Sequence, residues 1–414
     1  MVLNFRDNRI KNAVKGNEIG IEKECLRIDS RGRLAHTPHP FPENDKNIGR
    51  DFCENQIEFI SDVFTDSGEL ITHLNRLHDR AYNKIQKNGE LLWSFSNPPF
   101  VSGENDIPIA KFSKANKAKE KYRNYLAEKY GKMKMLFSGI HYNFSLSPRI
   151  FNISEIDKDS FYLDLAQKLL SYSWLIVYLT AASPLLDDSY IKNTALNEND
   201  KYRYASVRCS EVGYWNDFIP TLNYNSIEEY SYSIQRYVTA GLLKTSSELY
   251  YPVRIKPRGE NSLKNLLNGA NHIELRILDV NPFSRTGIAK EDIDFIHILI
   301  LWLCSFKSES LSERQQIDAV KNIKTAALYD DSSNKIIINN KTLSTKAAAK
   351  SVLNSVCSFS KQFFPEFYNS VDFQLSKLNG NRYAKLAREQ FGGDFSGLGL
   401  KLAEKYTKGE KVSV

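Results

Sequence analysis

Alternation between apolar and polar positions is the first regularity along this chain. From Gly20 to Ile28 a strand period of two puts Glu22 and Glu24 on one face with Leu26 and Ile28, while Lys23 and Arg27 point the other way. Phe137 to Leu146 alternates cleanly, His141, Asn143 and Ser145 against Tyr142, Phe144 and Leu146. His272 to Leu278 does the same, with His272, Glu274 and Arg276 opposed to Ile273, Leu275 and Ile277. The second half of Asp51 to Ile60 has strand composition, and Gln56, Glu58 and Ile60 share a face. Shorter strands are predicted over Arg33 to Thr37, after the turn Asp29-Ser30-Arg31-Gly32, and over Ser206 to Cys209. The Pro-rich stretches Thr37 to Pro42 and Trp93 to Val101 read as loops.

Helical spacing fills most of the rest. Asn4 to Lys15 reads as a short polar helix. Ser67 is placed to cap a helix running to about Lys87, with Leu70, Ile71, Leu74, Leu77 and Ala81 on its apolar side. Phe161 to Ala182 is a long apolar helix, Ser226 to Leu243 a mixed helix rich in Tyr, and from Lys290 onward the pattern is mostly helical, apart from a loop or short hairpin over Lys335 to Leu343. Lys111 to Lys134 is strongly basic with interleaved Tyr122, Tyr125 and Tyr130; a solvated helix face explains most of its lysines better than a nucleic-acid surface.

The apolar runs Ile293 to Phe306 and Leu169 to Leu186 fit buried helices rather than membrane spans, the first being short and charged, the second interrupted by polar residues and ending at Ser183-Pro184. No signal-peptide core is seen at the N-terminus. Five scattered cysteines without a CxxC pair argue against a disulfide framework or a thiolate zinc site, and fit a reducing cytoplasm. The net charge of +7 is modest for 414 residues; it suits anionic small molecules and does not by itself imply nucleic acid. Without repeats or a long linker, one domain over residues 1–414 is expected, with the oligomeric state open and a monomer slightly favoured.

The chemistry lies in the alternating strands. Carboxylates on a packed face are costly unless something positive neutralises them. Glu22, Glu24, Glu58, His141 and Glu274, gathered on one polar concave face of a sheet whose other side is packed by helices, would suit Mg2+ or Mn2+ better than zinc, because hard oxygen ligands dominate. Arg208 and Arg276 are suited to bidentate contact with phosphate or carboxylate. The set points to phosphoryl chemistry on an anionic substrate; with no P-loop and no nucleotide-type GxGxxG, a nucleotide would be held largely through metal. Plainer readings stand beside this one: an edge strand with solvated carboxylates, a structural histidine, a simple Glu274–Arg276 ion pair. Two-metal phosphoester hydrolysis and a non-enzymatic nucleotide-binding regulator are the rival function classes.

At these same residues the chain resembles the bacterial, proteobacterial-type glutamate–cysteine ligases. The shared words are Gly20 to Ile28, Thr37-Pro38-His39-Pro40, Asp51 to Ile60, Ser138 to Ser145, Ala182-Ser183-Pro184, Ser206 to Tyr214, Glu248 to Arg254 and Ile273 to Ser284, in order across roughly residues 14 to 306. The resemblance implies an α+β fold related to glutamine synthetase, a curved, mainly antiparallel sheet wrapped by helices with the active site on its concave face. It implies that ATP phosphorylates the γ-carboxylate of glutamate and that the amine of cysteine attacks the γ-glutamyl phosphate. It makes Glu22, Glu24, Asp51, Glu58, His141 and Glu274 metal ligands, gives Arg208 and Arg276 to the transferring phosphate or a substrate carboxylate, and lines the acceptor pocket with Phe52, Tyr122, Tyr214 and Tyr250. The chain departs from the family in a trimmed segment between Asn216 and Ser247, a shorter C-terminal region and Met135 in place of the usual Gln, which keeps a different acceptor amine in play. A fused second ATP-using module is not expected.

Overall fold

The computed structural model describes residues 2–330, 332–338 and 340–410. At its centre is β1 (Glu18–Ile28), an 11-residue strand. Around it lie β2 (Ile48–Arg50), β3 (Gln56–Ile60), β4 (Leu91–Leu92), β5 (Gly139–Ser145), β6 (Val253–Pro257) and β7 (Ala270–Asp279), in the order β2-β3-β1-β5-β7-β6 with β4 against the far end of β1. Every pairing is antiparallel. The first informative strand is therefore central, which removes the solvated-edge reading of its carboxylates. A separate hairpin joins β8 (Lys335–Ile338) and β9 (Lys341–Ser344), where a loop or hairpin was expected.

The apolar face of β1, β5 and β7 (Ile21, Tyr142, Phe144, Ile273, Leu275, Ile277) packs into one core with the helices Lys158–Thr180, Lys290–Leu303 and Glu313–Ala326. The first two helices are apolar on nearly every side because sheet and neighbouring helices surround them. Among the described residues no helix is long and apolar enough to cross a membrane. A second core under the other end of the sheet joins Leu26, Ile28, Ile57 and Phe59 to Trp93, Phe95 and the C-terminal helices Tyr383–Phe391 and Phe395–Thr407.

Several local expectations are corrected. Arg33 to Thr37 forms no strand; Ile28 and Leu34 share only an isolated bridge, since Gly32 turns the chain tightly and the neighbouring prolines withhold ladder donors. Ser206 to Cys209 is a turn with one isolated bridge from Ser206 to Ser183. The helix Ser67–Ile85 is capped by Asp66, whose carboxylate accepts from the Glu69 N–H at 2.9 Å, while the Ser67 hydroxyl instead donates to Asp294. The N-terminal helix covers only Asn8–Ala13.

Candidate active site

The register of the sheet assembles the site. Glu22 on β1 stands opposite His141 on β5, Glu24 opposite Glu58 on β3, and Asn143 on β5 opposite Glu274 on β7. Side chains that were separate signals in the sequence thus lie in adjacent rows on one face. Like charges placed directly across an antiparallel pair destabilise it, so the Glu24–Glu58 pairing calls for a cation between or beside them.

Glu22, His141 and Glu274 offer ligand atoms that lie within 4.8 Å of one another. His141 Nδ1 is 3.0 Å from Glu22 Oε2 and 3.7 Å from Glu274 Oε1, and Glu24 Oε1 stands 3.8 Å from His141 Nε2. His141 is 4% exposed and the Glu274 side chain 1%, so little water reaches them. Among the described residues, buried His141 Nε2, Glu274 Oε2 and Asn143 Oδ1 have no hydrogen-bond partner. Orphaned buried acceptors beside three carboxylates and an imidazole are the donor set a hard divalent cation uses, so these residues fit Mg2+ or Mn2+.

The electrostatics differ along the face. Burial pushes Glu24 up to about 8, Asp51 adding to the rise, against Arg208, Arg276 and the Gly139 N–H, which donates to Glu24 Oε2 at 2.7 Å. Burial and then the charges of Glu22, Asp51 and Glu24 hold Glu58 well above the usual carboxylate range. Toward β7 the balance reverses. Burial would raise Glu274, but Arg276, Lys256, His141 and Arg254 hold it well below that range. Glu22 is lowered as well: burial and then Glu274 raise it, and the hydrogen bond and charge of His141, with Lys256, together outweigh them. One end of the face is over-supplied with negative charge and the other with positive.

Of the arginines and aromatic residues that the resemblance gave to substrate, Arg208, Arg276, Tyr214 and Tyr250 share one cleft. Arg208 Nη1 donates to the Arg276 carbonyl at 2.8 Å, and Arg276 Nη1 lies 3.1 Å from Glu274 Oε1, so the ion pair read from the sequence exists inside the site. The guanidinium of Arg208 rests on Gly139, where a Cβ would sit 2.2 Å from its Cζ; only glycine leaves that room. Tyr214 and Tyr250 pack ring to ring at 4.2 Å and line one narrow cleft with Arg208 and Arg276. Asn216 secures this wall, accepting from the Tyr250 N–H at 2.9 Å and donating to the Tyr130 hydroxyl at 3.1 Å. Tyr122, on the helix Lys117–Tyr130, is raised to about 12 by burial, and Glu248 and Arg254 act on it. Asp51 leads out of β2 toward Glu24 and Glu58, and its carbonyl accepts from Arg123 Nε. Phe52, 2% exposed, belongs to the second apolar core, as does Tyr250, and Tyr122 and Tyr214 pack against that core.

Three residues escaped the reading of the sequence. Arg254 and Lys256 of β6 face Glu274 and His272 in register, and the alternation Val253-Arg254-Ile255-Lys256 was a signal that could have found them. Arg123 lay within the basic run read as mostly solvated; its lysines are largely exposed, but Arg123 reaches back to the Asp51 and Arg50 carbonyls.

Comparison with known proteins agrees with this geometry. The family model for glutamate–cysteine ligase matches residues 2–326. The bifunctional glutathione biosynthesis protein GshAB of Clostridium perfringens is 35% identical over 393 residues, covering 88% of this chain and 50% of that protein. The glutamate–cysteine ligase of Clostridium acetobutylicum is 33% identical over 387 residues, covering 79% of this chain and 80% of that protein. The chain spans about half the length of the bifunctional relatives it matches. The crystal structure of a Francisella tularensis glutamate–cysteine ligase in complex with AMP superimposes with a TM-score of 0.85 over 95% of this chain and 89% of that one, at 23% identity. A bifunctional glutathione synthetase from Pasteurella multocida gives a TM-score of 0.84 at 25% identity, over 98% of this chain and 54% of that one. The fold is the glutamine synthetase-like one that the resemblance implied, an open antiparallel sheet wrapped by helices. Family match, identity and shared fold lead to one statement: the chain belongs to the glutamate–cysteine ligase family.

Proposed function

We propose that the chain catalyses ATP-dependent joining of the γ-carboxylate of glutamate to the amine of cysteine through a γ-glutamyl phosphate, the first step of glutathione synthesis. The observation that carries this reading is the convergence of Glu22, His141 and Glu274 beside the paired Glu24 and Glu58, with Arg208 and Arg276 at the margin. Glu22, Glu24, Asp51, Glu58, His141 and Glu274 would hold Mg2+ or Mn2+, which when bound neutralises triphosphate oxygens and so lets a carboxylate approach them. Arg208 and Arg276 supply preorganised donors for the charge on the transferring phosphoryl group or for a substrate carboxylate, positioned before the reaction by their contacts with Gly139, Glu274 and each other. Tyr214 and Tyr250, with Tyr122 and Phe52, wall the acceptor amino acid and keep water from the acyl phosphate. Burial of the sheet's ligands fixes their rotamers, so the reactants are aligned without a covalent enzyme nucleophile.

The partners under this reading are glutamate, cysteine and ATP, and the setting is the cytoplasm, where a free thiol substrate stays reduced. Residues beyond the family match pack into the same two cores as the rest, which supports one catalytic unit over the described chain. The test is ADP release with ATP, Mg2+ and glutamate while candidate amines are added in turn. Release that requires both glutamate and cysteine is expected. Dependence on another amine would reassign the acceptor, and phosphate-ester cleavage without glutamate would overturn the ligase reading.

A further inference from the structure

The helix Lys117–Tyr130 carries Tyr122, yet it has little apolar purchase on the rest of the protein. Of its 14 residues only Leu126 is buried. A helix without a broad apolar stripe needs other contacts to stay in place. Midway along, Arg123 donates to the Asp51 and Arg50 carbonyls. Over its last two turns the helix closes on a single carboxylate, that of Glu248.

Glu248 is 0% exposed, and an ionised carboxylate out of water is costly unless donors surround it. Its Oε1 accepts from Lys129 Nζ at 2.6 Å, the Tyr130 hydroxyl at 2.7 Å and the Tyr125 hydroxyl at 3.3 Å, all three from the helix. Its Oε2 accepts from the Lys244 N–H at 2.5 Å. Lys129 Nζ donates also to the Leu242 carbonyl at 2.7 Å, so helix and segment 242–248 are fastened through one charge pair. The aromatic wall is built outward from this clasp. The Tyr130 ring stands 5.5 Å from that of Tyr250, which in turn lies 4.2 Å from Tyr214. Asn216 links the same groups, donating to the Tyr130 hydroxyl at 3.1 Å and to the Glu248 carbonyl at 2.8 Å. Fully buried, Glu248 acts on the pocket only through these neighbours.

We propose that Glu248 is a positioning residue for the acceptor pocket: its carboxylate fixes where Tyr122 and Tyr130 stand against Tyr250 and Tyr214, and so sets the room the acceptor has. What enters the pocket rests on the ligase reading; the clasp itself does not. Among the described residues no member of the metal set bonds to Glu248, so loosening the clasp spares ATP and glutamate.

The first measurement is steady-state ADP release by the full chain. Glu248→Gln keeps the shape of the side chain and removes its charge. It is expected to raise the acceptor KM roughly 10–100-fold, the range spanned by losing a hydrogen bond to a charged group, while the KM values for ATP and glutamate stay within about threefold. Lys129→Met is expected to act in the same direction, and the double variant to be no worse than the poorer single one, because both open the same clasp. Glu248→Asp restores the charge on a shorter side chain and should recover part of the loss. The second measurement needs no turnover: hydrogen exchange in Glu248→Gln should quicken over residues 117–130 and 241–250 and keep the wild-type rate in Gly139–Ser145 and Ala270–Asp279. Should Glu248→Gln fail to fold, Tyr130→Phe withdraws one hydroxyl from the carboxylate and is expected to raise the acceptor KM about threefold. An unchanged acceptor KM, a parallel rise of all three KM values with a lowered melting temperature, or unchanged exchange over the helix would overturn the proposal. Failure of the ligase reading is separate: the wild type would then release no ADP in response to glutamate and cysteine, and the exchange comparison would decide whether Glu248 holds the helix.

Discussion

Gly139→Ala separates the chemistry of the site from the stability of the fold. An added Cβ would lie 2.2 Å from Arg208 Cζ and 2.3 Å from its Nε and Nη2. Ordinary carbon contacts sit at about 3.5–4.0 Å, so the guanidinium has to retreat by roughly 1.5 Å. The backbone has no objection, since Gly139 is an ordinary strand residue without a positive φ. The displaced group loses its 2.8 Å bond to the Arg276 carbonyl, and hydrogen bonds to charged groups contribute about 1.5–3 kcal/mol. Misplacement of a positioning group by about 1 Å costs on the order of 100-fold in rate, or about 2.7 kcal/mol. The expected outcome is therefore a kcat/KM lowered about 100-fold with a melting temperature within a few degrees of wild type. Gly213→Ala is the control: its Cβ would meet the Arg208 carbonyl oxygen at 2.0 Å, a backbone atom that cannot swing away, so this variant is expected to lose stability together with activity. Steady-state ADP release and thermal melts on both variants decide the matter. If Gly139→Ala stays within threefold of wild-type kcat/KM, Arg208 has no part in the reaction at the place the structure gives it.

Three further perturbations probe other parts of the molecule. Glu58→Gln removes one of two carboxylates facing each other across β1 and β3; it should abolish turnover and the Mg2+-induced rise in melting temperature while leaving the metal-free protein no less stable, because relieved like-charge repulsion is worth up to about 1 kcal/mol. Wild-type turnover in that variant would remove Glu58 from the metal set. Tyr214→Ala deletes half of the ring pair packed at 4.2 Å and should raise the KM for the acceptor about tenfold or more with a smaller change in kcat; an unaltered acceptor KM would place the acceptor elsewhere. His297, buried and bonded to Asn17 at 3.1 Å, is lowered to about 4 by burial, with Asp294 opposing. Its folded pKa lies below that of the unfolded chain, so its contribution is complete above about pH 6.5 and is lost as pH falls toward 4, by at most about 3 kcal/mol. Urea titrations should show a shallower loss of stability between pH 7 and 5 in His297→Gln than in wild type, and equal slopes would refute the assignment.

The parts of the fold legible in the sequence were those in which one period dominates. His141 to Ser145 and His272 to Leu278 alternate because one face meets a core and the other the site, and in Gly20 to Ile28 the two carboxylates on one face gave the same signal, so strand, face and functional residues could be read together. The apolar helices Lys158–Thr180 and Lys290–Leu303 were readable for the same reason. What could not be read is adjacency, since nothing in Glu24 says that Glu58, rather than some other residue, will face it. Local competition defeated the rest. Asp66 outbids Ser67 as a cap, and Pro252 and Pro257 mark Val253–Pro257 as a loop although its residues pair with β7, with one register shift between Lys256 and Pro257.

The least readable feature is also the one that connects the halves of the site. Ile140 pairs with Leu278 and Tyr142 with Leu275, so β7 sets two residues, Arg276 and Ile277, against His141 alone. In a regular ladder Leu278 would stand opposite Gly139; the extra residue puts Asp279 there instead. Asp279 is buried, and its oxygens accept from the Ala182 N–H at 2.9 Å, the Ser183 hydroxyl at 2.7 Å and the Ser206 hydroxyl at 2.9 Å. Those bonds tether the turn that carries Arg208 and bring its guanidinium onto Gly139. Without the bulge a leucine would occupy that position and the turn would lose its anchor. One inserted residue in β7 thus sets the relation between the metal-binding row and the arginine that faces it, which is why neither the alternation nor the spacing of the motifs could have disclosed how they meet.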